Sequence, residues 1–165
     1  ISDVDVITGF GANDQLEISV ASLNTALSGA GIIHMGNGAD LVAGSVDALQ
    51  AISTQTEMAD GTTVIALTGS SFSNTTEVEA AIESGGSHEI SFGAGAANFA
   101  IGDAILVVYD NGTDSFLSAF ATAAVVDHDG AGGDVFQATA TVTNLIRFTD
   151  VTADSFVTAN FDMIA

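Results

Sequence analysis

Twenty-one acidic side chains and a single basic one, Arg147, set the terms on which this 165-residue chain can fold. With no lysine the formal charge is −20, about one net negative charge per eight residues. Such a charge repels nucleic acid and anionic membrane surfaces and draws in cations. It does not imply disorder, because 47% of the residues are hydrophobic and the mean hydropathy is +0.46, well above what an unfolded polar chain shows. The length is close to one domain on a prior of ~150 residues. A domain of that size buries roughly 70% of the surface its unfolded chain exposes.

The residues that are missing narrow the reading further. There is no cysteine, hence neither a disulfide framework nor a thiolate metal site. There is no proline but there are 18 glycines, so turns must be built from Gly, Asn and Asp. Fifteen of the acids are Asp and six are Glu, a bias towards caps, turns and cation-binding loops rather than helices. No apolar run reaches the ~20 residues that span a bilayer. The chain opens at Ile1 with neither an initiator Met nor a signal peptide, which reads as a processed form or a C-terminal fragment.

Period-two patterning dominates. Val4 and Val6, then Leu16, Ile18 and Val20, predict two strands joined at Gly9–Asp14, with a weak helical turn over 21–27. Residues 32–46 place strand-like stretches on either side of Gly36-Asn37-Gly38. The run 62–69 is β-branched and apolar and reads as a buried strand, and 88–92 alternates. One helix is predicted at about 75–84. Asn74 caps it, Glu77 returns the capping box, Val78, Ala81 and Ile82 form its inner face, Glu77, Glu79 and Glu83 lie towards solvent, and Gly85-Gly86 ends it. Asn111-Gly112, between 104–110 and 113–120, predicts an antiparallel hairpin closed by a two-residue type I′ turn. A second hairpin is predicted with arms 119–126 and 135–142 around the loop 127–134. Val151, Phe156 and Phe161 anchor the tail. With no linker and no sustained repeat, residues 1–165 read as a single all-β domain, a β-sandwich or β-roll-cap-like antiparallel domain with one short α-helix.

The acidic loop offers the best metal chemistry. Calcium takes about six to eight oxygens at roughly 2.3–2.6 Å. Asp127 and Asp129 can aim at one point, the intervening glycines let carbonyls approach, and Asp134 can close the ring. The same loop also reads as a solvated hairpin turn. Gly36-Asn37-Gly38-Ala39-Asp40-Leu41-Val42 resembles one glycine-rich nonapeptide calcium repeat, making Asp40 a weaker candidate ligand. Met35 replaces the first glycine, and an ordinary Gly-Asn-Gly turn explains the stretch better. His88-Glu89 starts like H-E-x-x-H, but Phe92 stands at the second His position. His34, His88 and His128 therefore read as surface or hairpin residues. No nucleophile elbow, phosphate loop or dinucleotide fingerprint is present. Arg147 reads as the partner of an internal carboxylate, or as a contact to a neighbouring acidic subunit.

Three segments carry a family resemblance. Asp5-Val6-Ile7-Thr8-Gly9-Phe10 followed by Asn13-Asp14-Gln15-Leu16-Glu17-Ile18 resembles the D-x-I-x-x-F…D-x-L-x-L stretch of bacterial RTX proteins exported by type I secretion. Val64–Gly69, the Glu77–Glu83 helix and Leu106–Asp110 are similar to the C-terminal domains of large RTX-like surface proteins. Asp162-Met163-Ile164-Ala165 resembles the serralysin-type ending, an acid followed by apolar residues. The resemblance implies an uncleaved export signal within about 115–165, passage through the type I secretion machinery unfolded, and folding in extracellular calcium. The nonapeptide run of the family is missing between Ile1 and Ala165.

Together these readings lead to the expectation of a non-catalytic, extracellular, calcium-dependent surface module that forms a homo-oligomer or polymer through strand edges and calcium bridges, as in an S-layer, filament or adhesin. The alternative is an accessory export and folding domain of a secreted peptidase or polysaccharide hydrolase whose catalytic part lies upstream. A self-contained hydrolase would need Asp127 or Asp129 desolvated in a cleft, and a Gly-rich loop does not provide one.

Overall fold

The structure, a computed structural model, describes residues 4–26, 33–45, 48–94, 96, 98–126, 134–137 and 140–165. It is predominantly β. In chain order the elements are β1 (Asp5–Thr8), β2 (Leu16–Ser19), α1 (Val20–Ala26), β3 (Leu49–Ile52), β4 (Thr56–Met58), β5 (Val64–Leu67), α2 (Thr75–Ile82), β6 (Ile90–Phe92), β7 (Ala104–Asp110), β8 (Ser115–Ala121), β9 (Asp134–Val135), β10 (Thr141–Thr149) and β11 (Phe161–Ile164), with 3-10 turns at Ala153–Ser155 and Thr158–Asn160. The predicted helix is α2, and the weak turn after residue 20 is the short helix α1.

A six-stranded sheet, ordered β1-β10-β8-β7-β5-β3, divides two hydrophobic cores. Val64, Ala66, Leu106, Val108, Leu117 and Ala119 face the core closed by α1 and the two-stranded sheet β2-β11. Ile65, Leu67, Ile105, Val107 and Phe120 face the core closed by α2 and the three-stranded sheet β4-β6-β9. Burial on both faces is the reason β5 and β7 are apolar at nearly every position. The second core is aromatic. Phe136 lies edge-on to Phe92 and Phe99, at centroid separations of 5.1 and 5.6 Å.

The pairing is mixed. Antiparallel contacts join β7 to β8, β8 to β10 and β6 to β9, but β1-β10, β2-β11, β3-β5, β4-β6 and β5-β7 are parallel. From β3 to β7 the chain alternates between the large sheet and the small one, and this crossing makes successive visits to one sheet parallel. β1 and β2 exist where alternation placed them but do not pair with each other. Each binds instead to a strand from the far end of the chain. Val4 and Val6 consequently face outwards, at 36% and 57% exposure, while Ile7 packs inwards.

The β7–β8 hairpin stands, but its turn is not a two-residue type I′. Asp110 pairs with Ser115, leaving four residues in the loop. Only Gly112 has positive φ (90°) in this loop. The Asn111 amide donates to Asp114 O at 3.0 Å, and the Asn111 side-chain oxygen accepts the amides of Thr113 and Asp114, so side chain and backbone close the loop together. The second hairpin also shifts. Its returning arm is β10, with Thr141 opposite Ala121, and 134–135 diverts to pair with β6. Helix α2 is capped as expected by Asn74, whose side chain accepts from the Glu77 amide at 3.1 Å. Glu79 and Glu83 are not solvent residues. They accept the amides of Val142 and Ala140, covering β10 where β1 does not reach.

Candidate functional site

Of the carboxylates expected to hold calcium, Asp134 and Asp40 fall among the described residues. Asp127 and Asp129, with His128, lie outside the described residues. Asp134 opens β9 opposite Phe92 on β6 and is half-buried. Asp40 closes the tight turn of residues 33–41, in which the Met35 amide donates to Ala39 O at 2.8 Å and the Gly38 amide to Met35 O at 2.8 Å. Among the described residues no group of three or more His, Cys, Asp or Glu is placed to hold a metal.

Asp40 faces a different partner. His34 sits opposite it in the turn, and its Nδ1 lies 2.7 Å from Gly38 O and 3.6 Å from Asp40 Oδ1. The carbonyl can only accept, so Nδ1 carries the proton. The other ring nitrogen, Nε2, lies 2.9 Å from Asp103 Oδ2 but out of line for a hydrogen bond. Asp103 in turn accepts the Ala100 amide at 2.7 Å. The imidazole is buried against the Phe99 ring at 4.6 Å. His34 is thus a hairpin residue as expected, but an interior one, and so is His88, whose Nε2 contacts Thr68 O at 3.1 Å. The apolar neighbours Ile32 and Ile33 are the sequence signal that His34 enters the core.

Arg147 forms the internal pair. Its Nε donates to Asp114 Oδ2 at 2.8 Å and its Nη2 to the same oxygen at 2.5 Å. The other oxygen of Asp114 accepts the Asp150 amide at 3.0 Å, and the neighbouring Asp110 accepts the amides of Gly112 and Ala153. Two buried aspartates therefore tie the end of the β7–β8 hairpin to the segment 150–153. Donation from the Asp150 amide, then from Arg147, holds the Asp114 carboxyl below its usual range of 3.8. A depressed carboxyl stabilises the fold fully above its unfolded value, and that contribution is lost as pH falls through the lower folded value. Arg147→Leu should therefore move acid unfolding, followed by circular dichroism, to higher pH. Asp114→Asn should remove this titration from the profile. An acid limb identical in all three proteins would refute the assignment.

On the opposite side of β7, burial raises the Tyr109 phenol above 10.0, with the opposing bond to Asn144 weaker in effect. Tyr109 and Ser118 both donate to Asn144 Oδ1, at 3.0 and 2.8 Å, where β10 shifts register. The terminal segment Asp162, Met163, Ile164 and Ala165 is folded rather than trailing. Met163 is buried in β11, and Ser19 Oγ donates to Ala165 O at 3.2 Å. No helix among the described residues is long and apolar enough to cross a membrane.

Comparison with known proteins finds no matching family model, no similar curated protein and no similar solved structure. The resemblance to RTX-type domains rests on its motifs alone.

Proposed function

We propose that this chain is a non-catalytic, extracellular structural module of a calcium-dependent, type I-secreted surface protein, acting in export and in self-assembly. The observation that carries the reading is the state of the charge. Arg147, the sole lysine-or-arginine cation, is already bound to Asp114, so the remaining acidic side chains depend on cations from outside. At −20 the unfolded chain repels itself, and two folded copies repel each other, until divalent ions screen or bridge them. The outer edge of β1 supplies a surface for strand addition, four residues long, carrying the exposed Val6 and preceded by the exposed Val4. At the other end of the large sheet β3 is less open, because the Leu49 amide donates to Thr158 Oγ1 at 3.3 Å. Asp127, Asp129 and Asp134 are the proposed calcium ligands, with Asp40 secondary. Asp162–Ala165 is the proposed part of the export signal, read while the chain is still unfolded.

Calcium added to EDTA-stripped protein, with magnesium as control, tests this by far-UV circular dichroism and light scattering. The expected result is a calcium-selective gain of β signal together with scattering that chelator reverses. Folding without scattering would assign the accessory role in a secreted enzyme instead. A folded monomer indifferent to calcium would overturn both the ligands and the assembly.

A further inference from the structure

We propose that the cleft between the turn after β1 and the segment following β10 is a binding site for an alkylammonium group. The cleft has a volume of ≈ 290 Å³ and is lined by Phe10, Gly11 and Ala12 on one side and by Asp150, Thr152 and Phe156 among others on the opposite side. That is the size of a small head group rather than of an extended ligand. Its floor is a fixed aromatic cluster. Phe10 lies 4.8 Å from Phe148 and 5.8 Å from Phe156, ring to ring, and is the half-exposed member over two buried ones.

Asp150 gives the cleft its charge. Its backbone is held at φ 58°, the only positive value at a non-glycine residue among those described. Outliers of this kind mark places where surrounding structure dictates a side chain's position. Here the dictating contact is the bond from the Asp150 amide to the buried Asp114, itself anchored by Arg147. The Asp150 carboxylate accepts no hydrogen bond among the described residues and is exposed. Across the cleft the turn is closed by the Gly11 amide, which donates to Asp14 Oδ2 at 2.8 Å. Asn160 braces the turn from beneath, donating to Gly11 O and Asp14 O.

An aromatic face beside an unpaired carboxylate suits an ammonium on an alkyl stem. The stem lies on the ring, and the charge meets both the ring quadrupole and the acid. A calcium ion would want about six to eight oxygens, which phenylalanine walls do not supply. A neutral polyol would gain nothing from the charge. The group can arrive as a free amine or as a lysine of another protein. A second copy of this chain has no lysine to offer.

Amide-resolved NMR at about 0.15 M salt tests the site with n-butylammonium, with n-butanol as the uncharged isostere. The expected result is saturable shifts confined to residues 10–12 and 150–156 with the amine and none with the alcohol. Asp150→Asn retains a residue that tolerates left-handed backbone and should weaken binding up to about fivefold. Phe10→Leu should weaken it by a similar factor. Tighter binding of a blocked glycine-flanked lysine peptide than of butylammonium would identify a protein partner, and equal binding a free amine. Shifts that spread over the acidic surface without saturating, or that are the same in the two variants as in the parent, would overturn the proposal.

Discussion

Phe161→Ala is expected to destabilise the domain by about 3–5 kcal/mol, enough to threaten a fold whose total stability is on the order of 5–15 kcal/mol. Phe161 is 2% exposed in β11 and stacks on Phe156 at 5.7 Å. Truncating it opens a cavity between the two-stranded sheet and the large one, and the paired strand β2 loses its cover. Urea unfolding measures the loss. Val157→Ala, four residues earlier and 44% exposed, should stay within about 0.5 kcal/mol. Asp162→Asn gives a sharper control on the same strand. Asp162 lies directly beside Glu17 in the parallel register, so removing its charge should leave stability unchanged or slightly raised. If Phe161→Ala unfolded no more easily than Val157→Ala, the last strand would not belong to the core.

Gly36→Ala should be comparably damaging for a different reason. A Cβ at position 36 would fall 1.9 Å from Ala59 O and 2.8 Å from Ala59 C. Those are backbone atoms, and the Gly36 amide also donates to Thr62 O at 3.0 Å. The turn carrying His34 and Asp40 must therefore move away from 59–62, at a cost of about 3 kcal/mol or more. Because the displacement falls on the turn, the His34 ring resonances should shift as well. Gly44→Ala is the contrasting case. No atom lies within 4 Å of its Cβ, and only its φ of 77° opposes the change. Equal stability of the two variants would show that the close approach of residue 36 to 59 does not exist in solution.

What the sequence revealed were the features decided within a few residues. The capped helix at 75–82 was legible because Asn74 and Glu77 sit three apart before an apolar face. The buried strand 64–67 was legible from its unbroken apolar run. Pairing was not, because it depends on contacts across the whole chain. Alternation in Val4–Ile7 and Leu16–Val20 says that each is a strand, but it cannot say that their partners are β10 and β11. Glu79 and Glu83 were misread for the same reason, since the amides they accept lie about sixty residues away. At the candidate site, Arg147 had to find a carboxylate, yet nothing local selected Asp114 from the available acids. His34 and Asp103 were missed because their proximity arises only when 33–34 aligns beside Ala104.

The parallel pairings β1-β10 and β2-β11 carry a consequence for timing. Each joins positions more than 140 residues apart, Asp5 to Ile146 and Leu16 to Phe161. Contacts of such span raise contact order and slow folding, because a very long loop must close before any of them is rewarded. The β1 edge of the large sheet therefore stays unpaired until β10 arrives, and the two-stranded layer over the first core stays open until β11 does. A chain delivered gradually from either end cannot close the first core early. Its last few residues act as the bolt of that core, whereas the second core, closed by α2 and the β4-β6-β9 sheet, does not wait for them.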